Sequence, residues 1–154
     1  MRLSSMTKKR LLFTAFLFGV YLLILIKLIV FKLPADLTTA NPWLAFSNGN
    51  YLPFKTILGY LGGEPSWRIA MDNLLGNVLL FVPLGIFLPS LWRTITWKGV
   101  LTVALGFSVA LEISQLFVVG TPDIDDVILN SLGVILGYGV FLYFVSMVKT
   151  FSIK

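Results

Sequence analysis

The sequence contains no cysteine and no histidine, and only 12% of its 154 residues are charged. Without cysteine and histidine the chain cannot form a disulfide, a thiol nucleophile, a Ser-His-Asp triad or a zinc site built on those residues. Any chemistry must therefore use carboxylates, amides, hydroxyls or basic groups. The scarcity of charge, together with 57% hydrophobic residues and a mean hydropathy of +0.91, argues against a soluble globular domain and predicts a membrane protein.

Four apolar stretches are long enough to cross the hydrocarbon core of a bilayer, which requires roughly 20 helical residues. They lie at about residues 11–31, 73–91, 100–119 and 127–148. The sequence therefore predicts an all-α membrane protein with four transmembrane helices in one domain over residues 1–154. The first stretch is too long for a signal-peptide core, so we expect it to stay as an anchor. Pro83 and Pro89 in the second span are compatible with a kinked or a re-entrant helix.

Basic residues predict the orientation of the chain. They concentrate at the N-terminus, in the turn over residues 91–99, and at the C-terminus. Because such residues are enriched on the cytoplasmic side, both termini are expected to be cytoplasmic. This basic side suits contact with anionic lipid headgroups, and no motif for nucleic acid accompanies it.

The opposite side receives a long loop over residues 32–72 and a short loop over residues 120–126. The long loop is rich in aromatic residues, which favour the membrane interface. Within it, residues 54–61 are compatible with a short interfacial helix. The short loop carries three aspartates and no basic residue.

Polar residues recur inside the spans at helical spacing. Ser108, Glu112 and Gln115 share one face of the third span, and a carboxylate such as Glu112 within a membrane is a functional-site hypothesis by default. Asn73 and Asn77 share a face near the outer end of the second span.

The fourth span presents a stripe of polar and small residues, namely Asp126, Asn130, Gly133 and Gly137. The two glycines form a small-xxx-small pattern that favours close approach of a neighbouring helix, which would carry Asp126 and Asn130 into the bundle. We therefore predict one polar site in the outer leaflet.

The hypothetical roles within this site differ from residue to residue. Glu112 and Asp126 are the candidates for catalytic acid or base. The candidate binding residues are Asn73, Asn77, Gln115, Asp123, Asp125 and Asn130. Asp123, Asp125 and Asp126 are also candidate ligands of Mg²⁺ or another hard cation. The structural alternative makes Asp123 a helix N-cap and Asn77 and Asn130 interhelical hydrogen-bond partners.

Several motifs together resemble the VanZ-like family over about residues 50–138. They are Asp72-Asn73-Leu74-Leu75-Gly76-Asn77, Leu80-Phe81-Val82-Pro83-Leu84-Gly85, Glu112-Ile113-Ser114-Gln115, Asp123-Ile124-Asp125-Asp126-Val127-Ile128-Leu129-Asn130, Gly133 with Gly137-Tyr138, and the upstream stretch Asn50-Tyr51-Leu52-Pro53-Phe54-Lys55-Thr56-Ile57. The chain departs from the family at Gly120-Thr121-Pro122, where members often have an arginine. The resemblance implies a multi-pass protein of the bacterial cell membrane, associated with resistance to glycopeptide antibiotics of the teicoplanin type.

Three functions are compatible with these observations. The first is an accessory protein that lowers sensitivity to such an antibiotic or modifies the envelope. The second is a metal-dependent enzyme acting on a lipid-linked envelope precursor. The third is a small-ligand binding or transport protein. The lipid bilayer is a partner in each case, with the lipid-linked precursor or the antibiotic as a further one, and the oligomeric state stays open.

Overall fold

The computed structural model describes residues 5–30, 41–117 and 120–151. Its helices are α1 (Ser5–Val30), α2 (Pro42–Ser47), α3 (Lys55–Leu61), α4 (Trp67–Leu91), α5 (Trp97–Gln115) and α6 (Ile124–Phe151). Four of these helices, α1, α4, α5 and α6, are long and apolar enough to cross a membrane. Within the described ranges there is no strand, only one isolated parallel bridge between Asn50 and Asp123. The predicted fold class is therefore confirmed, while the cytoplasmic location of the termini stays a prediction.

Helices α4 and α5 each begin after a residue whose side chain accepts a hydrogen bond from a free backbone N–H group. Ser66 accepts a hydrogen bond from the backbone N–H of Ile69 at the start of α4, and Thr96 accepts one from Gly99 at the start of α5. The cap at Ser66 lets α4 begin at Trp67, earlier than the predicted residue 73. From there α4 runs without a break through Pro83 and Pro89 to Leu91, so it is not re-entrant.

Helices α4 and α6 run in the same direction and form the most extensive contact in the bundle. Close approach is possible because Gly133 and Gly137 of α6 face the backbone oxygens of Val78 and Val82, where a Cβ atom would collide. Gly85 of α4 lies equally close to the backbone of α6. The small-xxx-small prediction therefore has a direct structural counterpart in this interface.

Helices α1 and α5 run against the other two and complete the apolar core. The hydroxyl of Tyr21 in α1 donates to the backbone oxygen of Leu80 in α4 at 2.8 Å. Buried residues at the centre include Phe81, Leu84, Ala104 and Val134. At one end of the bundle α5 ends and α4 and α6 begin. We call this the loop end, and α2 and α3 lie there.

Candidate functional site

The loop end gathers most of the predicted polar residues. Glu112 and Gln115 of α5 are buried there, and so is Asn77 of α4. An oxygen of Glu112 accepts the backbone N–H of Asp123 at 2.9 Å. The Asn77 side chain donates a short hydrogen bond to Asp126 across the α4–α6 interface. Side chains from three helices therefore meet, as the spacing of the polar residues predicts.

Asp123 precedes the first residue of α6 and caps this helix. One of its oxygens accepts the backbone N–H of Asp125 at 2.8 Å, the pattern of a helix N-cap. The same carboxylate also accepts the Asn50 amide at 2.9 Å and the Thr56 hydroxyl at 2.6 Å. The capping alternative thus describes Asp123 correctly, but the residue has a second role as the point where the long loop is attached.

Asp125 is completely buried and caps a different helix, α3. The residue at the N-cap position of α3 is Phe54, which lies in the left-handed region at φ 69° and has no side chain that could accept a hydrogen bond. Asp125 supplies the missing acceptor from α6. Its oxygens accept the backbone N–H groups of Phe54, Thr56 at 2.8 Å and Ile57 at 3.1 Å. The α3 terminus therefore depends on a carboxylate about 70 residues away along the chain.

The polar contacts continue one turn deeper into the bundle. The Asn130 side chain of α6 donates to the Ser108 hydroxyl of α5 at 2.8 Å, and both residues are buried. The amide oxygen of Asn130 and the hydroxyl of Ser131 have no hydrogen-bond partner among the described residues. Further into the bundle, the contact between α4 and α6 is made by Gly133 and Gly137 against the backbone of Val78 and Val82.

Two predicted binding residues, Asn73 and Gln115, lie at the edge of the cluster of polar residues. The Asn73 side chain donates to the backbone oxygen of Ile69 in its own helix at 2.9 Å. This bond holds the amide on α4 rather than among the acidic residues. Gln115 lies against Gly120, where an added Cβ would approach the Gln115 side chain to 3.1 Å.

Sequence reasoning assigned no site role to Asn50 and Thr56, although both lie in the upstream motif of the family. The Asn50 amide also donates to the Thr56 hydroxyl at 3.0 Å, and the Asn50 backbone pairs with Pro122 and Ile124. Segment 50–57 therefore covers the acidic residues and places the long loop on the site. Their place in the upstream motif was the signal, because spacing along one element does not reveal a contact with Asp123, which lies about 70 residues away along the chain.

The pKa of Tyr60 in α3 is raised by burial and by the charge of the nearby acidic residues. Burial raises the pKa of its hydroxyl above 10, and the negative charges of Asp126 and Asp123 raise it further. The tyrosine thus lies in a negative electrostatic potential at the loop end.

An apolar cavity of about 180 Å³ lies beside the acidic residues and is partly open. Its walls come from the aromatic segment of the long loop, from α5 and from α6. The lining residues are Phe46, Tyr51, Val109, Glu112, Ile113, Leu116, Pro122, Asp123, Ile124 and Val127. The surface that faces the cavity is almost entirely apolar, although Glu112 and Asp123 contribute atoms to its lining.

The three aspartates predicted to hold a cation face different partners. Asp123 and Asp125 accept hydrogen bonds from segment 50–57, and Asp126 accepts one from Asn77. In the part of the chain that the structure describes, no group of three or more acidic side chains is placed to hold one metal ion. Metal binding stays a prediction, and this geometry gives it no support.

Comparison with known proteins gives one consistent result. Residues 18–146 match the family model described as VanZ/LLP1. Over 122 residues, which are 79% of this chain and 68% of the relative, the sequence is 33% identical to Protein VanZ of Enterococcus faecium. No solved structure gives a significant match.

Proposed function

This chain belongs to the VanZ/LLP1 family, and from that membership we propose that it lowers the sensitivity of its host to glycopeptide antibiotics of the teicoplanin type. It is a multi-pass protein of the bacterial cell membrane. We further propose that the loop end lies at the outer leaflet and that its buried carboxylates and amides form the working site.

One observation carries the second part of the proposal. The acidic residues are held in place by the protein's own groups, because Asp123 and Asp125 anchor segment 50–57 and the Asp123 backbone anchors Glu112. Such preorganisation is expected of a binding site, since it lowers the cost of ordering side chains around a ligand. A charged side chain that is isolated on the surface is solvated by water and needs no such hydrogen bonds to hold it.

Expression in a teicoplanin-sensitive Gram-positive host tests the function. We expect the parent chain to raise the minimal inhibitory concentration of teicoplanin and the Glu112→Gln and Asp126→Asn variants to abolish the increase. Glu64→Gln and Asp72→Asn are matched controls, because the same substitutions there fall on exposed residues. Immunoblots of membranes verify equal amounts of each variant. Full protection by both site variants would contradict the proposed site, and no protection by the parent would contradict the proposed function.

The absence of cysteine allows a direct test of the orientation. Single substitutions Glu64→Cys at the loop end and Arg93→Cys at the other end each introduce one exposed thiol. In intact cells, a membrane-impermeant maleimide should label Glu64→Cys, whereas Arg93→Cys should react only after permeabilisation. The reverse pattern would place the site on the cytoplasmic side.

A further inference from the structure

An apolar groove lies at the end of the bundle opposite the loop end, which we call the basic end. The groove has a volume of about 380 Å³ and is partly open. It is lined by the last turn of α4, the turn that follows and the second turn of α5, through Leu88, Trp92, Thr94, Ile95 and Val103. The surface that faces the groove is almost entirely apolar. Its interior therefore suits a hydrocarbon segment and does not suit a charged group.

Two positive charges lie beside this groove. Arg93 is between two lining residues, in a turn that the Ile95 backbone N–H closes by donating to the Trp92 oxygen at 3.0 Å. Lys98 follows three residues after Ile95, and its ammonium group lies 5.7 Å from the ring centroid of Trp97. Both basic side chains are exposed. Within the described ranges every acidic residue lies at or near the loop end, so no carboxylate there neutralises these charges.

Helix α1 adds positive charge to the same end. Phe18 of α1 packs edge-on against Trp92 with ring centroids 6.4 Å apart. Lys8, Lys9 and Arg10 lie two to three turns further towards the basic end, and all three are exposed. A second copy of the chain in the same orientation would bring like charges to the groove, which is unfavourable. An anionic partner is favoured instead.

The tryptophans indicate the depth of the groove in the membrane. Trp92 and Trp97 are exposed near the ends of two spanning helices, which is typical of the level of the lipid headgroups. Arginine and lysine side chains at this level lay their apolar stems on the protein and extend their charges to the phosphates. The groove thus lies where acyl chains begin, and the charges of Arg93 and Lys98 lie where headgroups are.

We infer that this groove binds one molecule of an anionic phospholipid, with part of an acyl chain against Trp92 and Val103 and the phosphate near Arg93 and Lys98. The volume is within the range of about 300–1,000 Å³ for small-molecule clefts, which accommodates part of one chain. A zwitterionic lipid offers the same chain without net charge, so charge is what distinguishes the two. The inference goes beyond the proposed function and does not depend on it.

Fluorescence quenching by brominated lipids tests this inference. Trp43→Phe, Trp67→Phe and Trp97→Phe together leave Trp92 as the only tryptophan of the full chain. The purified protein is reconstituted in phosphatidylcholine vesicles that contain increasing fractions of phosphatidylglycerol or phosphatidylcholine with brominated acyl chains, which quench tryptophan on contact. We expect half-maximal quenching at an about tenfold lower fraction of phosphatidylglycerol, since each basic residue near an anionic lipid contributes roughly fivefold.

A second reporter provides the control for position. Trp67 lies at the loop end and is 62% exposed, against 53% for Trp92, so both indoles are accessible to lipid. A chain with Trp67 as its only tryptophan should be quenched equally by the two brominated lipids. Equal quenching of Trp92 by both lipids would overturn the inference, and so would the same preference for phosphatidylglycerol at Trp67.

Charge variants distinguish a site from general attraction to the basic end. In the Trp92 reporter, Arg93→Gln combined with Lys98→Gln should abolish the preference for phosphatidylglycerol. Lys8→Gln combined with Lys9→Gln removes the same charge from the same end and should keep the preference within about twofold. Equal losses in the two double variants would mean that the whole basic surface attracts the lipid, and the inference would be wrong.

A last variant tests whether the acyl chain occupies the groove. Val103→Phe narrows the groove and should reduce the preference at Trp92, because the chain can no longer lie beside the bound headgroup. Val140→Phe is the matched control, since Val140 has a similar exposed fraction (39% against 42%) but does not line the groove. Circular dichroism verifies that both variants keep their helices. If Val103→Phe retains the full preference, the groove holds no chain and the inference is wrong.

Discussion

The attachment of α3 to the bundle by Asp125 leads to a quantitative prediction. Asparagine has nearly the shape of aspartate, so Asp125→Asn changes the hydrogen bonding and the charge without creating a cavity. The amide oxygen can still accept the N–H groups of Thr56 and Ile57 through its two lone pairs. Its NH₂ group, however, must face the N–H of Phe54, which now loses its acceptor.

The expected cost follows from these three bonds. Hydrogen bonds to a charged group contribute about 1.5–3 kcal/mol each and neutral ones about 1 kcal/mol. The variant loses one charged bond and converts two others to neutral bonds. Allowing for partial relaxation, we expect the free energy for opening α3 to fall by about 3 kcal/mol, which corresponds to roughly a hundredfold increase in the opening equilibrium.

Amide hydrogen exchange measured by mass spectrometry detects this change locally. Peptides covering α3 should exchange about a hundred times faster in Asp125→Asn, while peptides of α5 should change little. Asp72→Asn provides the matched control, since Asp72 is an exposed aspartate at the same end of the bundle. Unchanged exchange of α3 in Asp125→Asn would refute the role assigned to Asp125.

Three further predictions concern packing, pH and metal. Gly133→Ala places a Cβ against the backbone oxygen of Val78 and should lower the free energy of unfolding by about 1–3 kcal/mol. Gly139→Ala, which has open space around it, should be neutral or stabilising by up to about 1 kcal/mol, and equal effects in thermal unfolding would contradict the proposed packing. Because the pKa of Tyr60 is raised in the folded state, its contribution to stability is complete below pH 10 and is lost as the pH rises through the higher folded value. A difference absorbance titration against Tyr60→Phe should show this late-titrating hydroxyl, and a normal pKa would refute it. Finally, EDTA should leave the unfolding temperature unchanged, because Asp123 and Asp125 are held by protein donors. A decrease that Mg²⁺ reverses would instead support the predicted cation site.

The hydropathy and the spacing of residues along the chain predicted the membrane-spanning helices and their buried faces. Each span must satisfy its own backbone hydrogen bonds within the membrane, so a long apolar stretch has few alternatives to a helix. Helical periodicity then places Glu112 on the buried face of α5 and Gly133 on the face of α6 that approaches α4. The residues at which the helices begin depend on N-cap side chains. The cap at Ser66 lets α4 begin at Trp67, before the predicted residue 73.

The tertiary structure decided the partners of the polar residues. Asp123, Asp125 and Asp126 are close together in the sequence, which suggested a shared role. The sequence could not show which part of the chain donates hydrogen bonds to each of them. The contacts with segment 50–57 depend on how a long loop closes over the bundle, and the cavity depends on the space left between that loop, α5 and α6. Hydropathy and helical periodicity describe one element at a time. The sequence by itself therefore determined the spans and their buried faces, whereas the capping of α3 by Asp125 and the shape of the site required the folded chain, because both arise from contacts between residues far apart in sequence.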